Sequence, residues 1–120
     1  MSHAGASLRR VDRLRRSRDF RRVSRDAARA ASRNFVVLAA RRPNELASEG
    51  ARLGITVTRR VGKAVTRNRV KRQVRECFRR RRRLLDEGLD VVVIARGGAA
   101  ELLTPEVEAE LGGLFGGLSR

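Results

Sequence analysis

The distribution of apolar residues along the chain predicts three main strands. An unbroken apolar run over residues 35–40 ends at two arginines and Pro43, which is typical of a buried strand followed by a surface loop. Residues 52–60 alternate between aliphatic and polar side chains, as expected of a strand with one exposed face. Residues 90–96 hold four successive aliphatic residues, which indicates a strand covered on both faces. An extra short strand is expected near residues 28–33.

Two further segments have helical spacing. Ser17 can cap a helix that begins at Arg18 and carries Phe20, Val23 and Ala27 on one narrow stripe. From about Val65 the apolar positions predict a long helix. The stripe of this helix that faces the core is expected to consist of Val70, Val74, Cys77, Phe78, Leu84 and Leu85.

The last predicted helix has a marked start and a weak end. Thr104 is expected to be its N-cap, with Pro105 at the first helical position and Glu106 and Glu108 in the first turn. Four glycines follow at positions 112, 113, 116 and 117, and each lowers helix stability by about 1 kcal/mol relative to alanine. The expected fold is therefore α+β, in the order α, β, β, α, β, α, with the helices packed on one face of a sheet.

The length of 120 residues fits a single domain. Residues 1–12 mix Ser, Ala, Gly and Arg without an apolar period and are expected to form a flexible basic arm, which leaves one domain over residues 13–118. No apolar run approaches the roughly 18 residues of a membrane-spanning helix, and we expect a cytoplasmic protein that does not bind membranes. Cys77 and His3 are the only residues of their types, which excludes an internal disulfide and a zinc site of Cys and His ligands.

The charge of the chain indicates a polyanionic partner. Lys and Arg total 29 against 13 Asp and Glu, for a formal net charge of +16. The excess is concentrated in residues 1–83, which carry a net +21, whereas residues 84–120 carry a net −5. A field of this strength attracts nucleic acid, and the binding surface is expected in the first two thirds of the chain.

One half of the long predicted helix is almost purely cationic. Opposite the apolar stripe, only Glu76 interrupts the basic side chains of Lys71, Arg72, Arg75, Arg79, Arg82 and Arg83, with Arg69 and Arg80 at the margins. Such density of like charge destabilises an isolated helix, and contacts with phosphates would relieve the repulsion. The alternative is an ordinary solvated surface, but such surfaces usually mix charges of both signs. This face therefore favours nucleic-acid binding, although charge alone does not separate RNA from DNA.

The segment from Gly62 to Arg79 reads Gly-Lys-Ala-Val-Thr-Arg-Asn-Arg-Val-Lys-Arg-Gln-Val-Arg-Glu-Cys-Phe-Arg. It resembles the signature of the bacterial ribonuclease P protein family, whose hallmark is an Arg-Asn-Arg box, here Arg67, Asn68 and Arg69. Residues 13–23 and 53–62 resemble further motifs of the family, and the resemblance extends over about residues 9–115. The box alone would be a weak signal, but its flanking residues make it specific.

The resemblance implies both a fold and a function. The fold would be a small ribosomal-protein-like α/β sandwich whose β-α-β crossover is left-handed, against the usual preference. The chain would be the protein subunit of ribonuclease P, binding a catalytic RNA and the 5′ leader of precursor tRNA so that the leader is removed and the mature 5′ end is generated. Mg²⁺ bound mainly by the RNA would carry out the hydrolysis. One protein would bind one RNA, and the free protein would be a monomer.

The resemblance also implies two binding surfaces. The face towards the catalytic RNA would consist of Arg67, Asn68, Arg69, Lys71, Arg72, Arg75 and Arg79. A cleft for the leader would lie between the first helix and the sheet, at Phe20, Phe35, Leu38, Thr56 and Thr58. The family often has further aromatic residues in this cleft where this chain has Ser24 and Leu38, and the chain contains neither Trp nor Tyr. Core packing is an alternative for both phenylalanines, as is helix capping for Asn68.

No residue of the chain is expected to be catalytic or to bind metal. Hydrolysis of RNA by a protein usually needs a positioned acid and base or clustered carboxylates that hold metal ions, and the sequence shows neither. The main rival interpretation is a structural RNA-binding protein, such as a ribosomal protein. A DNA-binding module that uses the long helix for recognition is less favoured, because Asn68 is almost the only side chain on its cationic face suited to base edges. A membrane-bound helix is weaker still, because the apolar stripe is needed to cover the sheet.

Overall fold

The structure, a computed structural model, describes residues 21, 23, 28–42, 50–85 and 88–118. The predicted arm over residues 1–12 and most of the predicted N-terminal helix, including Phe20 and Ser24, lie outside the described residues. Within that segment Arg21 and Val23 have helical backbone.

Four strands and two helices make up the described part of the chain. The strands are β1 (Ala28–Ala31), β2 (Phe35–Arg41), β3 (Arg52–Val57) and β4 (Leu89–Ala95), and the helices are α1 (Ala64–Arg81) and α2 (Thr104–Leu118). The α+β prediction is confirmed, and so is the extra short strand, which is β1. Strand β3 ends three residues earlier than predicted, because the backbone enters a 3₁₀ turn at Arg59–Val61.

The sheet has the strand order β1-β2-β4-β3. Strands β1 and β2 are antiparallel, as are β2 and β4, whereas β3 and β4 are parallel neighbours. Because a parallel pair needs a crossover connection, α1 lies between these two strands in the chain and covers the sheet. The left-handedness of this crossover stays a prediction.

The main core lies between the sheet and the two helices. On β2, Phe35 and Val37 project into it and are fully buried. The rings of Phe78 in α1 and Phe115 in α2 meet edge to face, with centroids 5.9 Å apart and planes at 74°. The other large core residues are Leu53, Val70, Val74, Val91, Val93, Val107 and Leu111.

The predicted stripe of the long helix is confirmed except at one position. Val70, Val74, Cys77 and Phe78 are buried, as is Leu85 beyond the end of the helix. Leu84 was wrongly assigned to the core, because its side chain is 70% exposed. Helix α1 ends at Arg81 and a 3₁₀ turn follows over Arg82–Leu84, which changes the residue period from 3.6 to about 3 and rotates Leu84 outward.

The opposite side of the sheet, called here the second sheet face, has its own small cluster. Val23 is fully buried there against Ala40 and Val92, and Leu38 and Ile94 pack at the edge of this cluster. Strand β4 is therefore covered on both faces, as its unbroken aliphatic run predicts. The expectation that all helices pack on one face is wrong, because Val23 has helical backbone and lies on the face opposite α1 and α2.

Helix α2 begins one residue earlier than predicted. Leu103 is its N-cap, because the Leu103 carbonyl accepts the first helical hydrogen bond, from the Val107 N–H at 3.0 Å. The Glu106 carboxylate reaches back and accepts a hydrogen bond from the Leu103 N–H at 2.8 Å. The assignment of Thr104 as N-cap is therefore wrong; its hydroxyl instead accepts a hydrogen bond from Gln73 Nε2 on α1.

A buried ion network stands at the start of β4. Asp90 is fully buried and accepts a hydrogen bond from Arg42 Nη1 at 2.8 Å. Arg52 donates to both oxygens of Asp90, from Nε and Nη2, each at 2.8 Å. The second amino group of Arg42 donates to the Gly50 carbonyl at 2.7 Å. This network joins the end of β2 and the start of β3 to the start of β4.

At the opposite end of β2, Glu110 of α2 holds the turn between β1 and β2. Its carboxylate accepts hydrogen bonds from the Ser32 hydroxyl, the Asn34 N–H at 2.8 Å and Asn34 Nδ2 at 2.9 Å. Burial by itself would raise the pKa of Glu110, but the hydrogen bonds from Ser32 and Asn34 together lower this pKa below its ordinary value.

Candidate nucleic-acid interface

One flank of α1 is occupied by contacts within the protein. Gln73 Nε2 donates to the Thr104 hydroxyl at 3.3 Å, and an amino group of Arg69 donates to the Ala100 carbonyl. The first contact joins α1 to the first residue of α2, and the second joins α1 to the segment before α2. Arg69, although part of the Arg-Asn-Arg box, therefore has a structural contact as well as an exposed surface.

Arg81 also has contacts within the protein. Its Nη1 donates to Glu108 and lies 3.4 Å from the Cys77 sulfur. The guanidinium rests against Gly112, where a Cβ atom would lie only 2.6 Å from Arg81 Nε. The hydrogen bond that Arg81 donates to Glu108 raises the pKa of Arg81, and burial raises the pKa of the Cys77 thiol to about 12. Arg81 thus joins the two helices, and Cys77 is a neutral buried side chain.

Two more arginines of the run at 79–83 have intramolecular partners. Arg79 donates to both oxygens of Glu76, one turn earlier on α1, and this hydrogen bonding lowers the pKa of Glu76. Arg82 Nε donates to the Ala51 carbonyl at 2.9 Å, which fastens the end of α1 to the start of β3. Arg80 approaches Glu76 only at 4.0 Å, and Arg83 is exposed.

The remaining basic residues of α1 form one continuous outer surface. Asn68 and Arg72 are exposed and Lys71 is half-buried, and these three have no hydrogen-bond or ion-pair partner among the residues that the structure describes. Arg67, Lys71 and Arg75 succeed one another at four-residue spacing, so their side chains are neighbours on one side of the helix. We call the surface formed by Arg67, Asn68, Lys71, Arg72 and Arg75 the outer face of α1.

The start of α1 is open to an anion. Lys63 occupies the N-cap position, and no side chain caps the helix there. The first N–H groups of a helix have no intrahelical acceptor and carry the positive end of the helix dipole. Because Lys63 is the N-cap and Asn68 lies within the helix, the alternative that Asn68 caps the helix is wrong. The Asn68 side chain is exposed beside the two arginines of the box.

Sequence reasoning missed three cations next to this surface. Arg59, Arg60 and Lys63 are exposed in the turn between β3 and α1, directly before the Arg-Asn-Arg box. Their positive charge could be seen in the sequence, but their position depended on the 3₁₀ turn that ends β3 early. They extend the cationic surface beyond the start of α1.

The predicted leader cleft is only partly assembled by the described residues. Leu38 and Thr56 both project from the second sheet face, because Leu38 is opposite Val92 and Thr56 is beside Ile94 in the register. Thr56 and Thr58 are exposed, with Thr58 just beyond the end of β3. Phe35 projects from the other face into the main core and is fully buried, which corrects its assignment to the cleft. Phe20 lies outside the described residues.

The described residues contain neither a membrane-spanning helix nor a cluster of metal ligands. None of the helices described here is long and apolar enough to cross a membrane. No group of three or more His, Cys, Asp or Glu side chains is placed to hold a metal ion in the parts of the chain that the structure describes.

Comparisons with known proteins agree with the resemblance. The sequence model of the family described as Ribonuclease P matches residues 8–119. The ribonuclease P protein component of Desulforapulum autotrophicum is 41% identical over 109 residues, covering 91% of this chain and 90% of the relative. Two solved structures are also similar to this chain. The RNase P protein of Staphylococcus aureus has a TM-score of 0.77 and 32% identity, and the match covers 86% of this chain and 91% of that one. The RNase P protein of Thermotoga maritima has a TM-score of 0.75 and 35% identity, covering 87% and 94%.

Proposed function

Because the chain belongs to the ribonuclease P protein family, we propose that it is the protein subunit of a ribonuclease P ribonucleoprotein and promotes endonucleolytic removal of the 5′ leader from precursor tRNA. In this proposal the chain binds the catalytic RNA through the outer face of α1. It binds the single-stranded leader at the second sheet face.

The outer face of α1 is the observation that carries the proposal. Three of the arginines in the run at 79–83 have partners within the protein, yet Asn68, Lys71 and Arg72 have none among the described residues. Cations that serve only stability would be expected to pair with acids, as Arg81 pairs with Glu108. Phosphates of an RNA backbone supply the missing anions, and arginine can bind them through two parallel hydrogen bonds.

The proposed role of the protein is to bind and position RNA, while the RNA carries out the reaction. Mg²⁺ held mainly by the RNA would supply the nucleophile and stabilise the leaving oxygen. The positive charge of the protein would reduce the repulsion between two RNAs, and contacts with the leader would raise the affinity for precursor over mature tRNA. We propose a complex of one protein with one catalytic RNA, formed from a monomeric free protein.

The test is cleavage of precursor tRNA by a bacterial ribonuclease P RNA at low Mg²⁺, with and without the protein. The protein is expected to stimulate the RNA and to be inactive alone. Two double variants then test the surface: Arg67→Ala with Arg69→Ala, and Lys71→Ala with Arg72→Ala. The second pair separates RNA binding from folding, because Lys71 and Arg72 have no described partner whereas Arg69 contacts Ala100. Both double variants should abolish most of the stimulation.

Arg33→Ala is the matched control, because Arg33 is an exposed arginine in the turn between β1 and β2 and is not part of α1. It should leave stimulation unchanged. Thermal unfolding of every variant shows whether a loss comes from misfolding. If the wild-type protein binds the RNA without stimulating cleavage, the chain is a structural RNA-binding protein and the proposal is wrong.

A further inference from the structure

A cation that the predicted cleft did not include stands on the second sheet face. Arg29 is the second residue of β1 and lies opposite Leu38 in the antiparallel register. Side chains of directly opposite residues project from the same face of a sheet, so Arg29 shares the face of Leu38. Arg29 is exposed and has no hydrogen-bond or ion-pair partner among the described residues. Its charge is therefore available to a ligand on that face.

Arg29 and Leu38 belong to a row of paired residues that crosses all four strands of the sheet. Leu38 is opposite Val92 of β4, and Val92 is beside Gly54 of β3. Adjacent strands are about 4.8 Å apart, so the row from Arg29 to Gly54 spans about 14 Å. The row has a guanidinium at its β1 end and the half-buried Leu38 next to it, whereas Val92 is buried in the cluster with Val23. At its β3 end the exposed hydroxyl of Thr56 projects from the same face, two residues after Gly54.

This sequence of groups matches the chemistry of single-stranded RNA. A guanidinium binds phosphate, an aliphatic surface can cover a base, and a threonine hydroxyl can bond to a 2′-hydroxyl or a base edge. A lone charge on an edge strand also has a simpler use, since it discourages pairing with the edge strand of another molecule. That use requires only a charge on β1, whereas RNA binding requires the charge on this particular face.

Aromatic stacking, the usual alternative means of holding single-stranded RNA, is not provided by the described part of this face. The chain has four phenylalanines and no Trp or Tyr. Phe35, Phe78 and Phe115 are fully buried in the main core, on the other side of the sheet. Among the residues that the structure describes, the second sheet face therefore presents a cation and aliphatic groups but no aromatic ring.

We propose that Arg29 binds a phosphate of the single-stranded leader, so that charge contributes to leader binding on the second sheet face. The inference rests on the proposed function and adds a residue that determines affinity for the leader. It predicts that Arg29 adds a salt-dependent contribution to leader binding that does not depend on the identity of the bases.

The experiment uses the complex reconstituted from the full protein and a bacterial ribonuclease P RNA. The affinity for a precursor tRNA with a single-stranded leader is divided by the affinity for the same tRNA without it, over a series of salt concentrations. Arg29→Ala should lower this ratio about threefold to tenfold and reduce the slope of log K against log salt by about 0.7, the value for one contact with a single strand. Arg29→Lys, which keeps the charge, should retain most of the ratio.

Arg33→Ala is the matched control, because it removes one exposed arginine from the turn of the same hairpin, where Arg33 is near Glu110 of α2 and outside the paired strand residues. It should leave the ratio unchanged. Adding Leu38→Phe to Arg29→Ala should restore affinity by stacking, without restoring the salt slope. A ratio of about one for the wild-type protein would contradict leader binding itself. A wild-type ratio well above one that Arg29→Ala leaves unchanged would overturn only the role of Arg29.

Discussion

Arg42 and Arg72 illustrate two uses of arginine in this chain. Arg42 is fully buried, and together with Arg52 it donates to the buried carboxylate of Asp90 at the start of β4. Arg72, on the outer face of α1, is exposed and has no partner among the described residues. A buried guanidinium left without its acid destabilises a protein strongly, whereas an exposed one contributes little to folding. Arg42 therefore maintains the fold, whereas Arg72 is available to a ligand, although the composition of the chain counts the two alike.

The largest expected effect comes from breaking the buried network. Asp90→Asn keeps the shape of the side chain but leaves the buried Arg42 without a counter-charge. This substitution should lower the free energy of unfolding, measured by urea denaturation, by about 3–5 kcal/mol, as is usual when one partner of a buried ion pair is lost. Glu101→Gln, at an exposed acid, is the control and should change stability by less than about 0.5 kcal/mol. A loss below about 1 kcal/mol for Asp90→Asn would contradict the comparison.

A smaller effect is expected where Arg81 joins the two helices. Gly112→Ala should destabilise the protein by about 1–2 kcal/mol, because the new methyl group displaces Arg81 from Glu108. Gly113→Ala, at the next residue, meets no atom within 4 Å and should instead stabilise the protein by about 0.5–1 kcal/mol through helix propensity. Thermal unfolding of both variants compares the two positions directly. Equal stabilisation by both would show that Arg81 moves away without loss.

A pH-dependent effect is expected at Glu110. Its pKa is lowered in the folded protein, so its hydrogen bonds with Ser32 and Asn34 stabilise the fold above the ordinary pKa of glutamate and are lost as the pH falls through the lowered value. Glu110→Gln should therefore lower the melting temperature most above about pH 5 and progressively less at more acidic pH. A difference in melting temperature that grows on acidification would contradict this assignment.

The smallest effect on stability is expected on the outer face of α1. Arg72→Ala should change the free energy of unfolding by no more than about 0.5 kcal/mol, because the side chain is exposed. It should nevertheless weaken binding to the catalytic RNA and reduce the salt slope of that binding by about 0.7–0.9, as expected for one lost phosphate contact. Filter binding at several salt concentrations measures both quantities. A stability loss like that of Asp90→Asn would remove the distinction between the two kinds of arginine.

The fold followed from the sequence wherever apolar residues keep a single period. The stripe from Val70 to Phe78 and the buried aliphatic run of β4 were both predicted from spacing and are confirmed. The predictions failed where the backbone changes its period or a distant group intervenes. Leu84 is exposed because a 3₁₀ turn follows α1, and Leu103 rather than Thr104 is the N-cap of α2.

The candidate site was predictable only in outline. The cationic half of α1 could be located in the sequence, because charge and helical period are local properties. Local spacing did not show that Arg81 pairs with Glu108 or that Arg82 contacts the Ala51 carbonyl, since these partners are distant in the chain. Arg29 was missed for the same reason: only its pairing with Leu38 in the sheet places it on the second sheet face.

By itself, therefore, the sequence determined the elements, the cationic helix and, through the residues around Arg67, Asn68 and Arg69, the family. The tertiary structure decided which cations are paired within the protein and which face each strand residue occupies, and it moved Phe35 from the cleft to the core. The physical reason is the range of the interactions. Helix period and charge depend on residues a few positions apart, whereas ion pairing and sheet register join residues separated by tens of positions.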